Sequence, residues 1–301
     1  MKLLITGSSG FLGTWCSAYA QARGWDVIGL DFRLPDPEDL TPKFTHLLFD
    51  VTKSSWLKDS MAGCDYMLHL AAWSSLDGFQ DHLHANYTNN VYGFLSVIEA
   101  ARLAGVKKFV YASSSAIYGW KWENRYNRED DAIDPLELTS HYGKSKLMNE
   151  MLADSYAQIG MSVLGLRYFN VYGPGDEKKN GRCAPMQHFF NSREQGQPIM
   201  IYGDGHQAKD FIWIDDAVEA TFKLMESDVT GICNVGTGIA TNFNTLAEMV
   251  APGHPIMRKP YPASGYQYFT RADTTKLRTV IGQEYEFLPV SLGVKKLVPA
   301  C

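Results

Sequence analysis

A chain of 301 residues, 45% hydrophobic and 20% charged, can bury a substantial core and suits one large domain or one with a smaller lobe. A net charge of -5 argues against a nucleic-acid or anionic-membrane surface, so an anionic ligand must be met by local cations. No apolar run approaches membrane-spanning length, and the N-terminal run stops at Thr6-Gly7, too short for a signal-peptide core. The expected compartment is therefore the cytoplasm. The five scattered cysteines, Cys16, Cys64, Cys183, Cys233 and Cys301, read there as buried free thiols.

Leu3 to Thr6 reads as a short apolar strand running into Thr6-Gly-Ser-Ser-Gly-Phe-Leu-Gly13, and Trp15 to Arg23 is compatible with a helix. In that strand–loop–helix order, Gly7 permits a tight turn, Gly10 lets a pyrophosphate approach the backbone, and Gly13 lets helix and strand pack closely. The free N–H groups of the helix N-terminus then face the phosphates. A second strand, Asp26 to Leu30, ends at Asp31, whose carboxylate suits a ribose 2′-hydroxyl and repels a 2′-phosphate. This predicts NAD over NADP, with Arg33 and Lys53 as cations nearby. Thr45 to Phe49 is a third strand, and Asp50-Val51 at its end either meets the adenine or is a solvated strand end.

Asp65 to Ala72 has a buried-strand pattern ending in the small residues Leu70-Ala71-Ala72, where a dinucleotide backbone can pass; His69 inside it reads as a hydrogen-bonded core histidine. Asn86 to Ala104 has helical spacing with Gly105 as its C-terminal cap, and Lys108 to Ala112 is the next strand. The alternation predicts an α/β, doubly wound parallel sheet of Rossmann-like type, with ligands at the C-terminal ends of the strands. Ser113 to Gly119 lies at such an end, its serines either sharing a proton with a substrate or capping a turn. Trp120 to Glu137 reads as a polar surface excursion, and Thr139-Ser140-His141 caps a helix running to about Ile159.

On that helix Tyr142 and Lys146 are four apart and share one face. With 16 tyrosines and 17 lysines in 301 residues, chance alone supplies about one such pair (16 × 17 / 301), so its weight comes from the cofactor loop upstream. Lowering a phenol from about 10 towards 7 needs roughly 4 kcal/mol. A lysine about 5 Å away offers roughly 3 kcal/mol at an effective dielectric near 20, and an oxidised nicotinamide ring would supply the rest. Farther on, Pro185 to Glu194, Asp215 to Met225 and Phe243 to Val250 read as helices and Pro198 to Tyr202 as a strand, before a Pro-, Tyr- and Gly-rich tail from Pro252. There is no internal repeat and no metal-ligand cluster; His206 and His254 are isolated.

Thr6 to Gly13, Asp31, Ser113 to Ser115, Tyr142 to Lys146, Arg167 to Pro174, Asp210-Phe211, Asp215-Asp216 and Asn234 to Gly238 together closely resemble the extended short-chain dehydrogenase/reductase family. The resemblance spans nearly the whole chain. It implies a dinucleotide-binding domain over 1–170 and, over 171–301, mainly a smaller C-terminal α/β lobe for a nucleotide-diphosphate sugar. It implies Tyr142 as the base, Lys146 as its activator and nicotinamide-ribose ligand, and Ser114 as the proton-sharing hydroxyl, with Ser115 as rival. Cofactor contacts are expected from Gly7, Ser9, Gly10, Phe11, Leu12, Gly13, Asp31, Arg33, Asp50, Val51, Leu70, Ala71, Ala72, Asn86 and Tyr168, besides Tyr142 and Lys146. Substrate contacts are expected from Ser114, Ser115, Asn170, Lys209, which stands where the family carries an arginine, and Arg271.

Ser114 is followed by Ser115-Ala116 rather than by the Asp-Glu of the family's dehydratases, so the residues suit transient oxidation and hydride return, which is epimerisation. Arg167 to Pro174 and Gly265 to Asp273 particularly resemble ADP-glycero-manno-heptose 6-epimerases, in which Lys179 would be a second acid/base; a solvated loop cation is the equal alternative, and UDP-hexose 4-epimerase chemistry stays open. A dehydratase, a reductase and a non-catalytic NAD(P)-binding regulator are the competing readings. The resemblance implies a homodimer through helices 86–104 and 142–159, whose apolar faces fit the core equally well; neither nucleic acid nor membrane is expected as partner.

Overall fold

The computed structural model describes residues 1–36, 42–53, 56–74, 82–119, 125–138, 140–179, 183–261 and 266–297, Lys179 in its backbone alone. The strands are β1 (Lys2–Thr6), β2 (Asp26–Asp31), β3 (Phe44–Leu48), β4 (Tyr66–His69), β5 (Lys108–Ser114), β6 (Val163–Tyr168), β7 (Asn170–Tyr172), β8 (Ile199–Tyr202), β9 (Ala208–Trp213), β10 (Gly231–Val235), β11 (Ala240–Asn242) and β12 (Ile256–Lys259). Seven form one parallel sheet in the order β3-β2-β1-β4-β5-β6-β10. The direction of winding reverses between β1 and β4, the position where such sheets open a crevice for ligands.

Alternation along each strand feeds two apolar layers. Leu3, Ile5 and Val110 join the core on one face of the sheet, while Leu4, Phe109 and Tyr111 join the core on the other. The doubly wound reading from sequence therefore holds. β10 lies beyond the expected end of the first domain at residue 170 yet completes the large sheet, while β11-β9-β7 and β12-β8 form two small sheets beside it. The tail, read only as Pro-, Tyr- and Gly-rich, adds β12 and the helices Thr275–Ile281 and Val290–Leu297.

The glycine loop is as tight as its sequence suggests. Gly7 sits at φ 72°, a region that strains any L side chain. A Cβ on Gly13 would stand 2.0 Å from the Gly7 carbonyl oxygen. The helix Phe11–Ala22 thus begins directly against the end of β1, four residues before its expected start, and no side chain caps its N-terminal N–H groups at Gly10.

The helix expected over Asn86 to Ala104 contains a π turn, Thr88–Tyr92, between Leu83–Tyr87 and Gly93–Ala104, and Gly105 closes it in the left-handed region. Asn90 in the π turn accepts from the Trp73 N–H at 2.8 Å, donates to the Trp73 carbonyl at 2.9 Å and donates to the Ser145 hydroxyl at 3.3 Å. It thereby ties the loop after β4 to the helix His141–Gln158. Ser140 caps that helix by accepting from the Gly143 N–H at 3.2 Å, as expected; Thr139 lies outside the described residues.

Gly13→Ala must push the Phe11–Ala22 helix off β1, and overpacking of this kind costs about 1–3 kcal/mol. Equilibrium urea unfolding of the purified variant should show that loss; unchanged stability would mean the loop has slack that the close approach denies.

Candidate active site

The C-terminal ends of β1, β2, β4, β5 and β6 open into a cleft of about 740 Å³, a volume typical of small-molecule sites. Its wall brings together Gly7, Gly10, Phe11, Leu12, Gly13, Asp31, Arg33, Asp50, Val51, Leu70, Ala71, Ala72, Ser114, Tyr142, Lys146, Tyr168 and Asn170. Ser9, Asn86, Ser115, Lys209 and Arg271 are not on it.

At the glycine loop the structure fits a dinucleotide. The helix that starts at Phe11 has no side-chain cap, and its first residues line the cleft, the arrangement that suits an anion at a helix N-terminus. Asp31 is buried, accepting from the Ser9 N–H at 3.0 Å and the Arg33 N–H at 2.9 Å, and each carboxylate oxygen keeps a second lone pair for a hydroxyl. Arg33 folds back, its Nε 3.9 Å from Asp31, so both expected residues share one corner. Ser9 supports that corner from behind, its hydroxyl donating to the Arg33 carbonyl at 3.1 Å. Asp50 is exposed and accepts from the Thr52 N–H and hydroxyl, whereas Val51 is buried. His69 is a core residue, its Nδ1 2.8 Å from the Thr6 hydroxyl, and burial followed by the Lys146 charge holds its imidazole neutral, down to about 3. Asn86 is buried in Leu83–Tyr87, and Asn89, three residues on, lines the cleft in its place.

Ser114, Tyr142 and Lys146 meet on the cleft floor. Ser114 is the last residue of β5; its hydroxyl accepts from the Ala116 N–H at 3.1 Å and hydrogen-bonds Tyr142. Ser115 is buried and engaged instead through its carbonyl, which accepts from Gln267 at 2.8 Å. Lys146 is buried, donates to the Ala112 carbonyl at 2.7 Å, and lies 5.7 Å from the centre of the Tyr142 ring. Burial pushes the phenol up to about 12, against the pull of the Ser114 hydrogen bond. Burial likewise brings Lys146 down to about 8, opposed by the Glu150 carboxylate. Desolvation thus drives both groups towards their uncharged forms.

The remaining expected residues are spread more widely. Tyr168 lines the cleft with its hydroxyl 2.7 Å from the Thr221 hydroxyl, and Asn170 donates to the Asp210 carbonyl at 3.0 Å. Lys209 is buried on β9, 5.8 Å from the Tyr266 ring centre, and burial lowers it to about 7. The Arg271 guanidinium stacks 3.8 Å from the Tyr126 ring centre. Lys179 closes the turn Asp176–Lys179 and its side chain is outside the described residues, as are Asn180, Gly181, Arg182, Gly265 and Cys301. Its neighbour Lys178 lines the cleft, reaching the Thr14 hydroxyl at 3.3 Å and Asp36 at 2.8 Å. Cys16, Cys64 and Cys233 are buried thiols as expected, but Cys183 is half-buried and lines the cleft.

Sequence reading missed a buried hub behind the floor. Glu150, one turn beyond Lys146, accepts from Arg167 twice, at 3.0 and 2.8 Å, and from the Ser113 hydroxyl. Arg167 donates on to the Tyr118 hydroxyl at 3.0 Å, which donates to Asn234 at 2.6 Å, and Asn234 donates to the carbonyls of Asn127 and Asp273. Asn127 is buried, so the stretch read as a surface excursion is anchored at that point. The only hint in the sequence was a glutamate at helical spacing from the tyrosine and lysine.

Comparison with known proteins places these features. Residues 3–236 match the model of the NAD dependent epimerase/dehydratase family. The chain is 31% identical over 259 residues to GDP-mannose 3,5-epimerase 1 of Oryza sativa subsp. japonica, covering 83% of this chain and 68% of that one. It is 35% identical over 206 residues to the ADP-L-glycero-D-manno-heptose-6-epimerase of Alkalilimnicola ehrlichii, covering 64% and 62%. The crystal structure of UDP-glucose 4-epimerase with UDP-glucose from Thermotoga maritima superposes with a TM-score of 0.89 at 27% identity, over 98% of this chain and 97% of that one. With a glycine cradle, an acidic corner and a Ser-Tyr-Lys floor in one cleft, the chain belongs to the NAD dependent epimerase/dehydratase family and is an enzyme whose cofactor is NAD.

Proposed function

We propose that this enzyme inverts one carbon of a nucleotide-diphosphate sugar by transient oxidation and re-reduction. The observation that carries the reading is the junction of Ser114, Tyr142 and Lys146 on the floor of the cleft that holds the glycine cradle. Bound NAD would accept hydride from the sugar and give it back, and its oxidised ring brings the positive charge that the buried phenol lacks. Tyr142 takes the hydroxyl proton, Ser114 shares it, and Lys146 stabilises the phenolate. Tyr142 returns the proton after the keto sugar has presented its other face. The loop beyond Ser114 supplies no Asp-Glu pair, so elimination of water has no acid and base to drive it.

In this reading residues 1–170 chiefly hold the dinucleotide and 171–301 chiefly the sugar nucleotide, with β10 as the exchange between them. Phe11 to Gly13 face the pyrophosphate, and Asp31 faces the adenosine ribose. Asn170, Lys209 and Arg271 serve the substrate phosphates, the two cations supplying what a net negative chain must provide locally. Lys179 remains a candidate second acid/base. The relatives and the structural neighbour act on different sugars, so the class rather than the sugar is assigned.

Proton NMR in heavy water, with NAD and a panel of UDP-glucose, UDP-N-acetylglucosamine, GDP-mannose and ADP-heptose, should show one sugar converting to its epimer without incorporating solvent deuterium. A keto product, or loss of water, would reject epimerisation. Tyr142→Phe should lower turnover by about a thousandfold or more, within the range of general acid-base contributions, while calorimetric NAD affinity stays near that of the parent; full retained activity would refute the role of Tyr142.

We also propose a homodimer through helices Gly93–Ala104 and His141–Gln158, whose outer surfaces expose Leu95, Leu103, Met148 and Met151. Light scattering coupled to gel filtration should give twice the 33.7 kDa chain mass; a monomer at micromolar concentration would reject it.

A further inference from the structure

Lys146 must stay protonated to serve a tyrosine base, yet it is buried, and among the described residues its ammonium hydrogen-bonds a neutral carbonyl, that of Ala112 at 2.7 Å. The anion on its side is Glu150, one helical turn onward on the same face. We propose that Glu150 is a positioning residue for catalysis: clamped by Arg167, its carboxylate holds the charge on Lys146 and fixes Ser113, and through it Ser114, against the tyrosine helix. This rests on the assignment of Tyr142 and Lys146 given above and deepens it.

The geometry separates this role from that of a bare structural ion pair. Both partners are buried, with side chains 8% and 5% exposed, and the guanidinium engages Glu150 through two nitrogens. Glu150 Oε1 takes the Ser113 hydroxyl as well, and Ser113 pairs in register with Arg167 across β5 and β6. The carboxylate therefore touches the strand that ends in Ser114 and belongs to the helix that carries Tyr142 and Lys146. The titratable groups facing Lys146 are Tyr142 and Glu150 on its own helix and the neutral His69 on β4; those facing Glu150 are Arg167 on β6 and Tyr111 on β5. Glu150 is thus the anion of the set, and its field opposes the desolvation that would neutralise the lysine.

The sign follows from the charges. Activity that needs protonated Lys146 is lost as pH rises through its titration, so removing the Glu150 charge moves that alkaline limb to lower pH, and removing the Arg167 charge does not. The pH profile of turnover should show the limb about one unit lower in Glu150→Gln, at the scale of one charge acting over a helical turn. Glu150→Asp, which keeps the charge, should stay closer to the parent, and Arg167→Gln should lie at or above it. A defect of packing alone would move Glu150→Gln and Arg167→Gln the same way.

If Glu150→Gln does not fold, the double variant Glu150→Gln, Arg167→Gln replaces both charges with amides, and its limb is expected below that of Arg167→Gln. An unmoved limb in Glu150→Gln, or a downward shift in Arg167→Gln of the same size, overturns the proposal. Either result leaves the tyrosine assignment standing as long as Tyr142→Phe is inactive; an active Tyr142→Phe removes the assignment itself.

Discussion

Two opposite charges withdrawn from water are stable together only if their remaining lone pairs and N–H groups find partners, since each ion gives up several kcal/mol of hydration. Glu150 and Arg167 meet that condition by recruiting the groups around them: the Ser113 hydroxyl, the Tyr118 hydroxyl and the Glu129 carbonyl. Five separate stretches of chain converge on the pair as a result: the tyrosine helix, β5, β6, the segment from Asn127 to Glu129, and, through Tyr118, Asn234 of β10. Hydrophobic packing alone would leave these elements free to slide; satisfying a buried ion fixes their relative positions to hydrogen-bond tolerance. Ser114, Tyr142 and Lys146 stand on that fixed frame.

The same dryness that makes the frame rigid works against the chemistry. Burial drives the phenol of Tyr142 and the ammonium of Lys146 towards their uncharged forms, opposite to what proton abstraction requires. In the reaction proposed above, the positive charge of the oxidised cofactor would offset that desolvation.

Much of this was legible in the sequence because it is local. The glycine spacing dictated the β1 turn and the helix contact, alternation along β1 and β5 dictated which side chains face each core, and Ser140 announced the tyrosine helix. What escaped is non-local. Glu150 reaches its partners 17 and 37 residues away, and Tyr118 finds Asn234 116 residues on. Asn90 was hidden because a π turn interrupts the helix without altering its apolar stripe, and Asn127 because a polar stretch that buries an anchor still has the composition of a surface loop. β12 is exposed along its whole length, so no hydrophobic pattern marks it.

β6 ends at Tyr168 in the large sheet and β7 begins at Asn170 in a small one, with the single buried residue Phe169 between them. The Phe169 N–H is itself held, donating to the Val235 carbonyl of β10 at 2.9 Å. A joint one residue long, pinned to a third strand, leaves no length of chain to act as a hinge. The large sheet and the small sheet that begins with β7 are therefore welded to each other at this point.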